Sequence, residues 1–219
     1  MCSVFPDDIA LKIDQADFTD LIRRFIHQQA SAREVPDSDT SLADLPMFYG
    51  KITVYPSAVA MFYAPSDISG VGGMRKERIH AVKSWRNGPG RYDTVLINTN
   101  PTAKGMLGLD VARVKLFFSI SHGKDQYPCA LVHWFCRAGD SPEVNTGMWV
   151  VDKMDTVNDD GESPTAILHL DTIVRAAHLI PVFGRERVSP TLSFTDTLDR
   201  FTKFYVNKFA DHHSFETAF

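Results

Sequence analysis

The sequence predicts an α+β fold that is mainly β, an antiparallel β-barrel or strongly coiled sheet flanked by N- and C-terminal helices. Three observations lead there. The stretch 51–151 is rich in β-branched and aromatic residues. Turn signals cut it at short intervals: Pro65, the glycines 70, 72 and 73, Asn87-Gly88-Pro89-Gly90, Asn100-Pro101 and His122-Gly123. Both ends of the chain place apolar residues at helical spacing. With 219 residues, 44% of them hydrophobic and 23% charged, one ordinary globular core is expected. A single domain follows: 1–45 as a helical extension and loop, 46–185 as the β-rich core and 190–219 as a C-terminal helix.

Taken in order, Phe18, Leu21, Ile22, Phe25 and Ile26 form one stripe, with Arg23, Arg24, His27 and Gln28 opposite, which is an amphipathic helix. The segment 31–45, with Pro36, Asp37 and Ser38, reads as an exposed loop. Strands are expected near 51–63, 76–86, 91–98, 111–121, 128–136 and 146–154, with 87–90 joining the second and third as a hairpin. Along 128–136, Cys129, Leu131, His133 and Phe135 alternate with Ala130, Val132, Trp134 and Cys136. Both faces are largely apolar, so that strand should be covered on both sides, like a barrel wall under a helix. Acidic residues make 152–164 a surface loop, among them Asp155, Asp159, Asp160 and Glu162, and the apolar run 166–183 returns the chain to the core. Helix-start residues at 193–196 precede Leu198, Phe201, Phe204, Tyr205 and Phe209, read as a closing amphipathic helix.

Composition excludes some functions. Lys and Arg total 23 against 27 Asp and Glu, a net charge of −4, so any attraction to nucleic acid must be local. The only cysteines are Cys2, Cys129 and Cys136, an odd number without CxxC spacing. On one extended strand Cys129 and Cys136 would lie roughly 23 Å apart, beyond disulfide reach. Free thiols in a reducing compartment are expected. No basic, apolar leader opens the sequence and no apolar run approaches the ~20 residues of a membrane span. An intracellular protein, nuclear or cytoplasmic, without membrane partners is the expectation.

The main local charge feature is 74–92, where Arg75, Lys76, Arg78, Lys83, Arg86 and Arg91 face only Glu77, with Trp85 and Tyr92 interleaved. Guanidinium groups clamp phosphates and aromatic faces stack on bases, so this hairpin is a candidate nucleic-acid contact. Its duller readings are a solvated hairpin face, or pairing with the acidic N-terminal residues Asp7, Asp8, Asp14, Asp17 and Asp20. Tyr63, Trp134 and Trp149 are candidates for an aromatic pocket able to hold a methylated lysine, against the commoner role of core packing. Two clusters bear titratable side chains: His169, Asp171 and His178, and Asp211, His212, His213 and Glu216. On a helix, His212 or His213 would share a face with Glu216, although no HExxH motif is present and spacing fixes no third ligand. GxSxG and P-loop motifs are absent, and cysteines inside an apolar strand are disfavoured as thiolates. Neither a cofactor nor a metal is expected.

The run Ile167-Leu-His-Leu-Asp-Thr-Ile-Val-Arg-Ala-Ala-His-Leu-Ile-Pro-Val-Phe-Gly184, followed by Leu198-Asp199 and Phe204-Tyr-Val-Asn-Lys-Phe-Ala-Asp-His-His213, resembles the C-terminal end of large fungal reading frames. Those frames belong to Plavaka-type, CACTA-like DNA transposons. The likeness continues through Trp85-Arg-Asn-Gly, Ala112-Arg-Val-Lys-Leu-Phe-Phe, Cys129-Ala-Leu-Val-His-Trp-Phe and Thr146-Gly-Met-Trp-Val-Val151, about three quarters of the chain. In that family the catalytic acids lie in an RNase H-like domain upstream. The resemblance therefore implies an accessory module of a transposase, or a stand-alone descendant, and not the nuclease. Ala130-Leu-Val-His-Trp-Phe-Cys-Arg137 is similar to the aromatic strand of bromo-adjacent homology domains, β-rich chromatin modules.

Together these readings predict a non-catalytic binding module of transposon origin that contacts DNA or chromatin, with a transposase or a second copy as further partners. The alternatives are an enzyme using the C-terminal His and Asp residues, or a structural or dimerisation scaffold.

Overall fold

The computed structural model describes residues 2–31, 42–64, 70–155, 163–185 and 187–218. Pro65, most of the expected loop 31–45 and the centre of the acidic stretch 152–164, including Asp159, Asp160 and Glu162, lie outside the described residues. In chain order the elements are β1 (Cys2–Val4), α1 (Pro6–Ile13), α2 (Phe18–Ser31), β2 (Ile52–Tyr55), β3 (Ser57–Tyr63), β4 (Met74–Val82), β5 (Arg91–Tyr92), β6 (Thr94–Asn98), β7 (Leu109–His122), β8 (Asp125–Arg137), β9 (Val150–Lys153), β10 (Thr165–His169), β11 (Ile173–Ala177), β12 (Leu179–Pro181), α3 (Thr197–Arg200), β13 (Lys203–Val206) and α4 (His212–Ala218).

The strands form two antiparallel sheets, and neither closes into a barrel. The larger runs β1-β2-β7-β8-β9-β13-β12, with β6 also on β7, β11 on β6 and β10 on β8. Its long hairpin β7–β8 spans His122↔Asp125 to Val111↔Phe135. The smaller sheet is β3-β4-β5. Closure fails because the terminal strands β1 and β12, like the branch strands β10 and β11, pair on one side only among the described residues, so the larger sheet keeps open edges. Pro56 divides the single strand expected over 51–63: β2 pairs with β7, while β3 pairs with β4 in the other sheet. Proline has no N–H for a ladder, and a chain changing sheets needs a break in pairing there.

This switch creates three layers. On one face of β7 and β8, Leu116, Phe118, Ile120, Cys129 and Leu131 pack under Phe18, Ile22, Phe25 and Ile26 of α2 and under Ile9 of α1. On the other, Ala112, Val114, Phe117, Ala130 and Val132 meet Ala60, Phe62, Ile79 and Ala81 of the small sheet. The expectation for 128–136 holds in this form: helices cover one side and a second sheet the other. α1 is an addition, opened by Pro6 in its first turn and by Asp7 and Asp8 near its positive end.

The C-terminal segment corrects the expectation. Instead of one helix over 190–219 there are a short α3, the strand β13 and α4. Phe204 and Val206 are buried while Lys203 is exposed, a period of two, and β13 pairs with both β9 and β12. The apolar residues at 198, 201, 205 and 209 imitate helical spacing, but the sheet's demand for a strand between β9 and β12 overrides it.

Candidate nucleic-acid interface

Antiparallel register sorts the small sheet's side chains. Ile79 and Ala81 are buried inward, so Arg75 and Glu77 share that inner face, while Met74, Lys76, Arg78 and His80 point outward. Cross-strand partners share a face, so Ser57, Val59, Met61 and Tyr63 stand opposite His80, Arg78, Lys76 and Met74 on the outer one. Val82↔Arg91 adds both of its members. None of these ten outward residues is acidic. Val59, Met61 and Tyr63 are 46%, 58% and 62% exposed, a run of apolar surface beside the cations Lys76 and Arg78. Gly73, at φ 74°, lets the β3–β4 turn close against Tyr63; a Cβ there would lie 2.8 Å from its ring.

The tip of the β4–β5 hairpin completes this face. The Gly88 N–H donates to the Trp85 carbonyl at 2.9 Å, and the two residues between, Arg86 and Asn87, both have positive φ, 53° and 63°. That is the sign pattern of a type I′ turn, which matches the twist of paired strands and favours Asn or Gly at both central positions. Arginine at the first of them carries a conformational cost of about 1 kcal/mol. The turn aims Arg86 over the Trp85 ring, 5.5 Å from its centroid, while Arg91 lies 5.2 Å from the same ring. Trp85 packs edge-on to His80 at 4.2 Å. Asp93 anchors the base, accepting two bonds from Arg91 at 2.7 and 3.1 Å and one from the His80 N–H at 2.8 Å.

Of the seven residues singled out in the hairpin, Lys76, Arg78, Trp85, Arg86 and Arg91 therefore meet on one exposed surface. Arg75 does not: it lies in register with buried Phe62, on the inner face. Lys83 donates to the Lys12 carbonyl and fastens the hairpin to α1. Arg78 donates to Ser57 Oγ at 3.0 Å, a neutral partner that leaves its charge uncompensated among the described residues. The acidic N-terminal residues have nearer partners: Asp7 accepts from Thr19 Oγ1 at 2.8 Å, and Asp20 pairs with Arg23 at 3.0 Å.

The aromatic pocket does not assemble. Trp149 is buried among Leu96, Phe135, Val151 and Phe204, and Trp134 packs against the layer between the sheets. Tyr63 stands on the opposite side of β3 from that layer and joins the basic face instead. Alternation alone could have shown this, since Phe62 and Tyr63 are adjacent and must point apart.

The His and Asp clusters do not converge on a common cavity either. His169 Nδ1 and Asp171 close a local turn at 3.4 Å, with Asp171 exposed, and His178, beyond the far end of β11, meets Asn207 Nδ2 at 3.0 Å. Asp211 accepts from Arg175 at 3.1 and 2.6 Å and from the Ser214 N–H at 2.7 Å, capping α4. Arg175, only 3% exposed, lies 4.8 Å from the Phe62 ring, on which His213 stacks at 5.0 Å. The Arg175 bonds first, with Ser214, hold the Asp211 carboxyl well below the usual carboxylate range against the opposing effect of burial. Glu216 lies 3.4 Å from His212 and 3.2 Å from His213. Among the described residues no three His, Cys, Asp or Glu side chains gather as a metal-ligand set. Burial pushes the Cys129 thiol up to about 12, and neither Cys129 nor Cys136 forms a disulfide.

No protein-family model, curated protein or solved structure matches the chain. No helix among the described residues is long and apolar enough to cross a membrane.

Proposed function

We propose that the protein is a non-catalytic binding module of transposon origin that contacts DNA, free or in chromatin, through the outer face of β3–β4–β5. One observation carries the reading: Lys76, Arg78 and Arg86 share a surface with Trp85, exposed Tyr63 and the Asp93-paired Arg91, and no outward residue of these strands is acidic. Cations on such a surface neutralise phosphates, and the aromatic rings offer bases a stacking plane. The unfavourable backbone at Arg86 supports the same reading, because strain persists where a side chain must be aimed. A net charge of −4 gives little long-range attraction, so affinity rests on short-range contacts and falls steeply with salt.

Fluorescence anisotropy with labelled single-stranded and duplex DNA over a salt series tests this. The combined variant Lys76→Ala, Arg78→Ala, Arg86→Ala is expected to weaken binding and to reduce the log–log salt slope by about one for each phosphate no longer neutralised. Trp85→Ala should weaken single-strand binding by about 1–3 kcal/mol. No binding to either DNA at low salt overturns the proposal.

A further inference from the structure

On the helical side of the large sheet, far along the chain from the hairpin, β7 slips register against β8 between Val114 and Leu116, and Lys115 is the extra residue of that bulge. It opens onto a cavity of about 450 Å³ walled by Ile13 at the end of α1, by Asp14, Gln15 and Asp17 between α1 and α2, by His133 of β8 and by Thr165 of β10. Half-buried Lys115 makes no hydrogen bond or ion pair among the described residues; its defined contact is the Tyr92 ring, 5.6 Å away. Among the described residues its ammonium therefore has a ring and no carboxylate within ion-pair distance. Burial first, then the Arg113 and Lys153 charges, hold this amine below the ordinary lysine range against the pull of Asp199 and Asp14.

His133 stands on the same wall with a fixed tautomer. Its Nε2 lies 2.6 Å from the Met154 carbonyl, an acceptor only, so Nε2 carries the proton and Nδ1 of the neutral ring is a bare acceptor. Burial, Lys153 and Lys115 keep the ring below the usual histidine range, opposing the Met154 bond and Asp155. The cavity thus brings together a lysine amine whose defined contact is an aromatic ring and an imidazole whose Nδ1 takes no hydrogen bond among the described residues.

We propose that this cavity captures a small aldehyde or ketone as an imine on Lys115, with His133 Nδ1 as the proton shuttle. The amine lone pair attacks the carbonyl carbon as the C=O π pair moves to oxygen, and the proton shed by nitrogen passes to Nδ1. The imidazolium hands that proton to the alkoxide, giving the carbinolamine; the remaining N–H proton, relayed through Nδ1, then passes to the hydroxyl as the C–O bond breaks, water leaves, and the nitrogen lone pair closes the C=N bond. The balance is amine plus carbonyl giving imine plus water, with no redox partner.

Propanal with cyanoborohydride at pH 7.4, followed by peptide mass mapping of the full chain, tests this separately from DNA binding. Lys115 should label severalfold faster than exposed Lys104 and Lys124, because an amine held below the ordinary lysine range is more often unprotonated. The Lys115 rate should level off at a lower pH than the rates of the other two. His133→Gln should slow Lys115 by about a hundredfold, the lower range for a positioned base. Lys115 labelling no faster than Lys104 and Lys124 overturns the proposal; so does a rate that levels off no earlier than theirs, a readout that needs no variant to fold. An unchanged rate in folded His133→Gln also overturns it.

Discussion

Two clusters in this molecule use the same residue types to opposite ends. Around Phe62, Arg175 lies over an aromatic ring and is closed in by Asp211, with Glu77 3.9 Å away. Around Trp85, Arg86 and Arg91 lie over a ring at similar distances, yet Arg86 faces solvent. In the first, burial forces every charge to find an internal partner, since an unpaired ion there would cost several kcal/mol. In the second, Asp93 holds Arg91, while water keeps the Arg86 charge inexpensive and leaves it free to meet something else. Residue type therefore marks neither cluster as functional; what separates them is whether the fold has already used the charge.

The largest expected effect tests the internal cluster. Arg175→Ala leaves Asp211 and Glu77 without their cation and should cost about 3–5 kcal/mol in urea unfolding. Asp211 gives the same cluster a pH signature. Its folded carboxyl titrates below the unfolded value of about 3.9, so its stabilisation is complete above that pH and fades as acid drives titration toward the folded value. Asp211→Asn should therefore flatten the loss of stability below about pH 4, read from melting temperatures across pH. A variant losing stability as steeply as the parent would remove Asp211 from the account.

Next comes a neighbouring pair on opposite faces of one strand. Phe62→Ala should cost about 3–5 kcal/mol, while Tyr63→Ala, on the outer face, should stay within about 0.5 kcal/mol and show its effect in DNA affinity. Similar costs for both would mean that the outer face is covered.

The smallest effect belongs to the hairpin tip. Arg86→Gly relieves a positive φ and should raise stability by about 1 kcal/mol while weakening DNA binding, a stability gain opposed to function. If stability and binding both fell, the arginine would be holding the turn and not presenting a charge.

The sequence by itself determined the local elements. The stripe from Phe18 to Ile26 forms α2, the Asn87-Gly88 signal makes a hairpin, and the two apolar faces of 128–136 mark a strand covered on both sides. These depend on neighbours a few residues apart, whose spacing is written in the chain. Only the tertiary structure decided what pairs across distance: that Pro56 carries the chain from one sheet to another, that the large sheet stays open, and that Phe204 and Val206 serve a strand between β9 and β12. It also drew Arg75 inward, joined Tyr63 to the cations of the hairpin, and set Lys115 beside His133 in one cavity. Strand register has a period of two, so a shift of one residue reverses which side chains meet solvent, and that choice is made by partners far away in sequence.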